Sequence, residues 1–313
     1  MRQVQLLGKI ELYDRSLSVN GNQACTSCHM PYTSFTGPIS SVNALPVAYP
    51  GSVHYRFGKR KPNALAYSPF FPVLRYNLTQ ATFYGGNFWD SRATGYKLQS
   101  PAAEQAQDPV LDTQEMGMPD PACIVYRLSV GKYKSVFETV WGPQAFAINW
   151  PTDVGAVCNT PAGAAALGGN PEPVNLSPVD RGRSNATFDQ YALSIAAYEG
   201  SPAVSAFSSK FDAYLAGTAT LTPDEQAGYN LFRGKGNCNS CHLDGRGTAL
   251  TAGEDDSSSA ASVAPLFTDF TSANLGLPKN PADPYYYQTV PTVSNSLPTR
   301  RALASPIWGW DSS

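Results

Sequence analysis

Along this chain the pattern of apolar and polar positions is helical where it is regular, and it disappears over long intervals. Residues 3–13 place Val4, Leu6, Leu7, Ile10 and Leu12 at mixed helical spacing, and the polar run from Asp14 to Ser18 breaks the pattern. From Met30 to about Leu78 the chain is rich in Pro, Gly, Ser and Tyr with little periodicity, which predicts long irregular loops of the kind that carry function. A helix of good formers is predicted over 101–107, with Asp108-Pro109 as its stop, because proline disfavours helical backbone in the residue before it. Pro121 through Val130 predicts a second helix. Residues 143–185 read as a Gly-, Ala-, Pro- and Asn-rich surface excursion, after which Phe188, Tyr191, Ala192, Ile195 and Ala196 restore helical spacing over 187–198. Past a connection at 200–208, Thr222 is placed to cap a helix, Pro223 suits its first turn, and Asp224 and Glu225 suit the positive end of its dipole. That helix runs from Gln226 to Phe232 into a Gly234-Lys235-Gly236 turn. The expected fold class is mostly α and loop-rich.

Composition narrows the picture. A length of 313 residues suits about two domains. A formal charge of −2 and the lack of any basic stripe exclude a nucleic-acid-binding protein. With 26 Gly, 26 Pro and 12% aromatic residues against 15% charged, the chain describes a soluble aromatic-rich fold rather than a solenoid or extended bundle. No apolar run approaches the roughly 20 residues that span a bilayer. The opening Met1-Arg2-Gln3-Val4 has no secretory-leader pattern.

The chemistry enters at Cys25-Thr26-Ser27-Cys28-His29, which recurs as Cys238-Asn239-Ser240-Cys241-His242. Cys-x-x-Cys-His is the attachment pattern of a c-type haem: two thiols bond the vinyl groups, and the adjacent imidazole ligates the iron. Chance placement of so few Cys and His gives such a motif on the order of once per thousand chains. Zinc ligands gather in one cluster, whereas these copies lie more than two hundred residues apart. A thioredoxin-like pair would follow a βαβ pattern and would leave each histidine unexplained. Two haem c groups are therefore expected, one in a unit spanning 1–205 and one in a unit spanning 206–313, each cytochrome c-like. Covalent attachment in bacteria occurs outside the cytoplasm, so a periplasmic or otherwise exported protein is expected, its leader absent from this chain. Cys123 and Cys158 remain, as one disulfide or as two buried thiols.

The residues resemble the bacterial di-haem cytochrome c peroxidases and their MauG relatives over nearly the whole chain. Leu7-Gly8-Lys9 with Leu12-Tyr13-Asp14 and Leu17-Ser18 is similar to the family's lead-in to its first haem. Phe88-Trp89-Asp90-Ser91-Arg92 is similar to its Phe-Trp-Asp-Gly-Arg motif, with Ser91 in place of glycine. Ala103-Glu104-Gln105-Ala106 and Glu115-Met116-Gly117-Met118 match its distal-pocket segment, including the ten-residue offset between Gln105 and Glu115. Phe267-Thr268-Asp269-Phe270, Asn274-Leu275-Gly276 and Pro278-Lys279-Asn280-Pro281 resemble a stretch after the second haem. Arg56-Phe57-Gly58-Lys59-Arg60-Lys61-Pro62 and Ala93-Thr94-Gly95 resemble the longer-loop branch near MauG and the methanobactin-associated enzymes.

The resemblance implies an oxidoreductase that reduces hydrogen peroxide at the His29 haem, with the His242 haem receiving electrons from a small cytochrome c or cupredoxin. It implies Glu115 as general acid/base, Gln105 as the amide that orders peroxide or water, and Trp89 as the coupler between haems; taken alone, Glu115 would read as a solvated carboxylate and Trp89 as core. Asp90 and Arg92 read as a structural ion pair. His54, the one histidine outside the motifs, is a candidate sixth ligand that would cap the first iron, against a surface or propionate-contacting role. MauG-like oxidation of aromatic residues on a partner protein is the alternative enzyme, and a non-catalytic electron carrier the alternative class. The resemblance also implies a calcium ion between the domains, although no matching asparagine stands near Ala66-Tyr67, and it admits a homodimer. The chain departs from the family after Val290-Pro291-Thr292-Val293-Ser294-Asn295. No Met follows Met118, so the second haem would take one of Tyr285, Tyr286 and Tyr287, or stay exposed, or the chain is a shortened form.

Overall fold

The computed structural model describes residues 1–78, 80–163, 173–246, 264–272, 276 and 278–287. The motif residues Asn274-Leu275 and the stretch Val290 to Asn295 lie outside them. In chain order the elements are α1 (Gln3–Leu12), α2 (Ser40–Ala44), β1 (Arg75–Asn77), β2 (Thr82–Tyr84), α3 (Pro101–Leu111), α4 (Pro121–Ser129), α5 (Lys134–Trp141), α6 (Val154–Cys158), α7 (Pro178–Glu199), α8 (Lys210–Leu215) and α9 (Pro223–Arg233). The strands form a small antiparallel hairpin with Tyr76 opposite Phe83.

Helix α7 is the axis on which α1, α3 and α4 pack. Ser177 caps it by accepting from Asp180 N, Pro178 occupies the first turn, and Asp180 faces the positive end of the dipole. The periodicity at 187–198 reveals only its second half. Its first half, Pro178 to Ala186, reads as polar loop because its order comes from a tertiary contact: Arg181 makes two bonds of 2.7 and 3.0 Å to the buried carboxylate of Asp120, which also caps α4. Helix α1 comes so close to α7 that a Cβ on Gly8 would lie 1.9 Å from Ser194 O, so only glycine fits. Leu7, Leu12, Leu17, Ile124, Leu128, Phe137, Tyr191 and Ile195 fill the space between these helices.

The expected stop at Asp108-Pro109 is corrected. Helix α3 continues through Pro109 to Leu111. Proline there removes one intrahelical bond, to Gln105 O, in the last turn, where the bond is least needed, and Asp112 N still closes the end on Asp108 O at 2.9 Å. The described parts of the expected excursion, 143–163 and 173–185, are also more ordered than their composition suggests, because Cys158 in α6 is joined to Cys123 in α4 by a disulfide. Val154 and Val174 are buried with them.

Beyond Val204 the described residues are less buried. No residue of α8 or α9 is buried, and an aromatic cluster of Phe211, Tyr214, Tyr229, Phe232 and Phe267 forms beside the second motif. Residues 270–272 return to the N-terminal body. Gly85 N donates to Phe270 O at 2.8 Å, and the Phe270 ring meets Phe71 and Tyr84 edge-on. No helix among the described residues is long and apolar enough to cross a membrane.

Candidate functional site

The two Cys-x-x-Cys-His motifs fold alike. Cys25–Ser27 and Cys238–Ser240 each form one tight 3-10 turn, and the following histidine N–H donates back to the first cysteine carbonyl at 2.9 Å in both. Both imidazoles are also held alike: Nδ1 of His29 lies 3.1 Å from Phe35 O, and Nδ1 of His242 lies 2.9 Å from Phe267 O. A carbonyl can only accept, so Nδ1 carries the proton and Nε2 keeps its lone pair for iron. Burial lowers the pKa of His29 and keeps it neutral, as a ligand must be. Burial pushes the Cys25 and Cys28 thiols up to about 12, which does not suit a thioredoxin-like nucleophile.

The surroundings of the motifs differ. Cys25, Cys28 and His29 form one wall of a cleft whose adjoining compartments hold about 470 and 800 Å³, part of it open to solvent. Gln105 and Pro109, one helical turn apart on α3, line the same cleft together with Glu115. The turn after α3 sets Glu115 in place. Glu115 N and Gly117 N both donate to Asp112 O, with Gly117 at φ +70°, and Ser52 N donates to Glu115 O at 2.7 Å. Ser52 is bonded in turn to Asn20 and Asn22, so one small polar knot ties the acid to the loop that delivers the first motif. Gly51 permits this approach, since a Cβ there would lie 2.1 Å from Gln114 O.

Glu115 is half-buried, and its open side borders the cleft. Burial, then the carboxylates of Asp112 and Asp108, push its pKa up to about 8, against the pull of Lys59 and Arg92. Lys59 pairs with Asp112 at 2.7 Å. Sequence reasoning overlooked both. Lys59 stood out only as part of the Arg56 to Pro62 segment and Asp112 not at all, since nothing in the chain order brings the two together. It also overlooked Glu199, buried at the end of α7, whose Oε2 has no partner and which lines the inner cleft.

The outer rim carries Arg60, Lys61, Trp89 and Arg92. Asp90 pairs with Arg92 at 2.9 Å and with Arg60 at 2.8 Å, and Arg92 continues to Asp108 at 3.0 Å. Trp89 is 61% exposed, with Nε1 donating to Lys61 O at 2.9 Å. Its loop is the one that meets the segment after the second motif, through Ser91 and Ser272 hydroxyls 3.1 Å apart. His54 stands apart from the cleft, exposed and edge-on to Tyr55. Of the three tyrosines near the end of the described chain, Tyr287 donates to Pro281 O and Tyr286 lies under Lys279.

Both motifs fit a c-type haem on their donor chemistry, with paired cysteines and a histidine whose Nδ1 is already committed. The first adds a cleft and an unpartnered buried carboxyl oxygen. No cluster of three or more His, Cys, Asp or Glu suited to a bare metal ion occurs among the described residues.

This helical fold with a repeated haem motif and a carboxyl-lined cleft defines a di-haem oxidoreductase, and the chain belongs to the di-haem cytochrome c peroxidase family, whose profile matches residues 2–220. It is 30% identical over 275 residues to the methylamine utilization protein MauG of Paracoccus denitrificans, covering 88% of this chain and 57% of that protein. It is 26% identical to cytochrome c551 peroxidase of Nitrosomonas europaea, covering 75% of this chain and 50% of that protein. Among solved structures it is similar to the di-haem peroxidase BthA of Burkholderia thailandensis, with a TM-score of 0.66 at 26% identity, covering 92% of this chain and 58% of that one. The chain thus spans little more than half the length of these relatives. Membership implies two c-type haems.

Proposed function

We propose that the protein reduces hydrogen peroxide to two waters at the cleft of the first motif, taking up two electrons and two protons per turnover. The observation that carries this reading is Glu115 lining the same cleft as His29 with its pKa pushed up to about 8, close to the pH at which it would both accept and return a proton. Cys25 and Cys28 would hold the haem by thioether bonds and His29 would ligate it through Nε2. That haem would supply the iron at which peroxide is reduced. Glu115 takes the proton from the near peroxide oxygen and returns it to the far one as the O–O bond breaks. The Gln105 amide orders the peroxide or the water that replaces it. Lys59 pairs with Asp112 beside Glu115, and the Asp112 carboxylate helps raise the Glu115 pKa to about 8, which makes its carboxylate a stronger base for the peroxide proton and leaves it able to return that proton.

The proposal places the peroxidatic unit at 1–205 and the electron-supplying unit, with its haem on His242, at 206–313. Electrons would come from a small cytochrome c or cupredoxin in the periplasm and pass by Trp89. The position of His54 outside the cleft, together with the identity to MauG, supports a second reading in which the first iron rests uncapped and the oxidised pair withdraws electrons from a partner protein. An ultraviolet-visible titration with peroxide, before and after one-electron reduction, separates the two. Reaction only after reduction supports the conventional peroxidase, and direct reaction with a long-lived oxidised state supports MauG-like use. Two low-spin haems inert to peroxide would overturn both.

A further inference from the structure

A second feature lies behind the first motif, on the far side of α1. Leu12 faces the cleft, while Lys9, Ile10, Tyr13 and Asp14 of the same stretch line an open surface groove of about 2020 Å³. Tyr133 forms the opposite side of this groove and donates its hydroxyl to Asp14 Oδ2 at 2.7 Å. Tyr191 belongs to the buried core against which both Cys25 and Tyr133 pack; it is fully buried, stacked on Phe188 at 5.8 Å, its hydroxyl without a partner. Tyr191 is within electrostatic reach of both Cys25 and Asp14, and Tyr133 is within reach of Tyr191. Phenols thus run from the cysteine that would carry the haem edge to a surface tyrosine already bonded to a proton acceptor.

We propose that this groove is a second redox port, at which Tyr133 gives one electron by way of Tyr191 toward the Cys25 edge of the first haem and its phenolic proton to Asp14. This rests on the peroxide-reducing reading, in which hydrogen peroxide is the oxidant. An external one-electron donor then restores Tyr133, and Asp14 returns the proton. Two such cycles supply the two electrons that, with two protons from solvent, convert one peroxide to two waters. The groove suits a small aromatic donor bearing a negative charge. Leu6, Ile10 and Val130 give it apolar walls, and Lys9 and Lys132 make no ion pair among the described residues.

The test uses the protein with both haems attached, mixed with one equivalent of peroxide and frozen for electron paramagnetic resonance, with peroxide loss measured in parallel. A tyrosyl signal that narrows with ring-deuterated tyrosine is expected, falling at least tenfold in Tyr133→Phe while peroxide loss is unchanged. Tyr191→Phe removes only a hydroxyl that bonds nothing, and it is expected to lower the same signal. Addition of 4-hydroxycinnamate should quench the signal in the parent protein. A full signal in Tyr133→Phe, or peroxide loss without any tyrosyl signal, would overturn the port and leave the peroxide reading intact. Absence of peroxide loss would overturn both.

Discussion

Replacing Glu115 with glutamine keeps the shape of the side chain and removes its proton, and two opposite consequences follow from the structure. Its carboxyl is pushed from an ordinary 4.5 up to about 8, mainly by burial and then by Asp112 and Asp108. Between those values the folded protein holds a proton that the unfolded chain has released. Stability therefore falls as pH rises through that window and stays lowered above it. At 1.36 kcal/mol per pK unit the whole shift amounts to about 5 kcal/mol, and since the carboxyl borders an open cleft about 2–3 kcal/mol is the realistic size. The glutamine variant has no such titration. In urea unfolding it should match the parent near the carboxylate range and exceed it by about 2–3 kcal/mol at about pH 9. The same change removes the group that moves the peroxide proton, so turnover with a reduced donor should fall by about 10²–10⁴. In the parent the rate should climb as pH approaches 8, because at neutral pH only about a tenth of the molecules carry Glu115 as the base. Undiminished peroxide turnover in the variant, or a stability difference that does not grow with pH, would refute this reasoning.

Other perturbations test its neighbours. Asp112→Asn removes a negative charge beside Glu115 and frees Lys59 to act on it, so the pH dependence of turnover should shift toward lower pH; an unmoved profile would detach Asp112 from the site. Cys158→Ser opens a disulfide whose cysteines are 35 residues apart, and loop entropy sets the loss at about 4 kcal/mol, which urea unfolding with and without reductant should reproduce. His54→Ala should leave the resting visible spectrum unchanged, since this exposed residue stands outside the cleft; a spectral change would make it a ligand.

What the sequence revealed and what it hid divide along a physical line. Both attachment motifs were legible because covalent haem chemistry demands Cys-x-x-Cys-His at fixed spacing, whereas the Gln105 to Glu115 offset carried meaning only through the family resemblance. Helices α1, α4 and the second half of α7 were legible because one face of each is apolar. The first half of α7 was not, since Asp180 and Arg181 are held by the Ser177 cap and by Asp120 rather than by apolar burial. Pro109 misled for a related reason: a rule about the helix interior was applied to a last turn. The Lys59 to Asp112 pair was invisible because it joins a loop to a helix end 53 residues away.

The repeated motif raises the question of why one copy should differ from the other, and the carboxylates beside them suggest an answer. The two histidines are set by the same turn and the same kind of carbonyl bond, so the motif itself cannot distinguish the sites. Near the second motif the buried acid is Asp244, and its Oδ2 accepts from the Tyr229 hydroxyl at 2.7 Å and lies 3.5 Å from Arg233 Nε. That oxygen is committed to two partners, and any other contact would have to displace them. Glu115 has the opposite environment: two like charges close by, burial on one side, and an open cleft on the other. One acid is neutralised by partners and the other is left restless by its neighbours. That contrast supports assigning peroxide chemistry to His29 and electron supply to His242. It also locates the decision in Asp112, Asp108 and the turn to Gly117, none of which belongs to the motif.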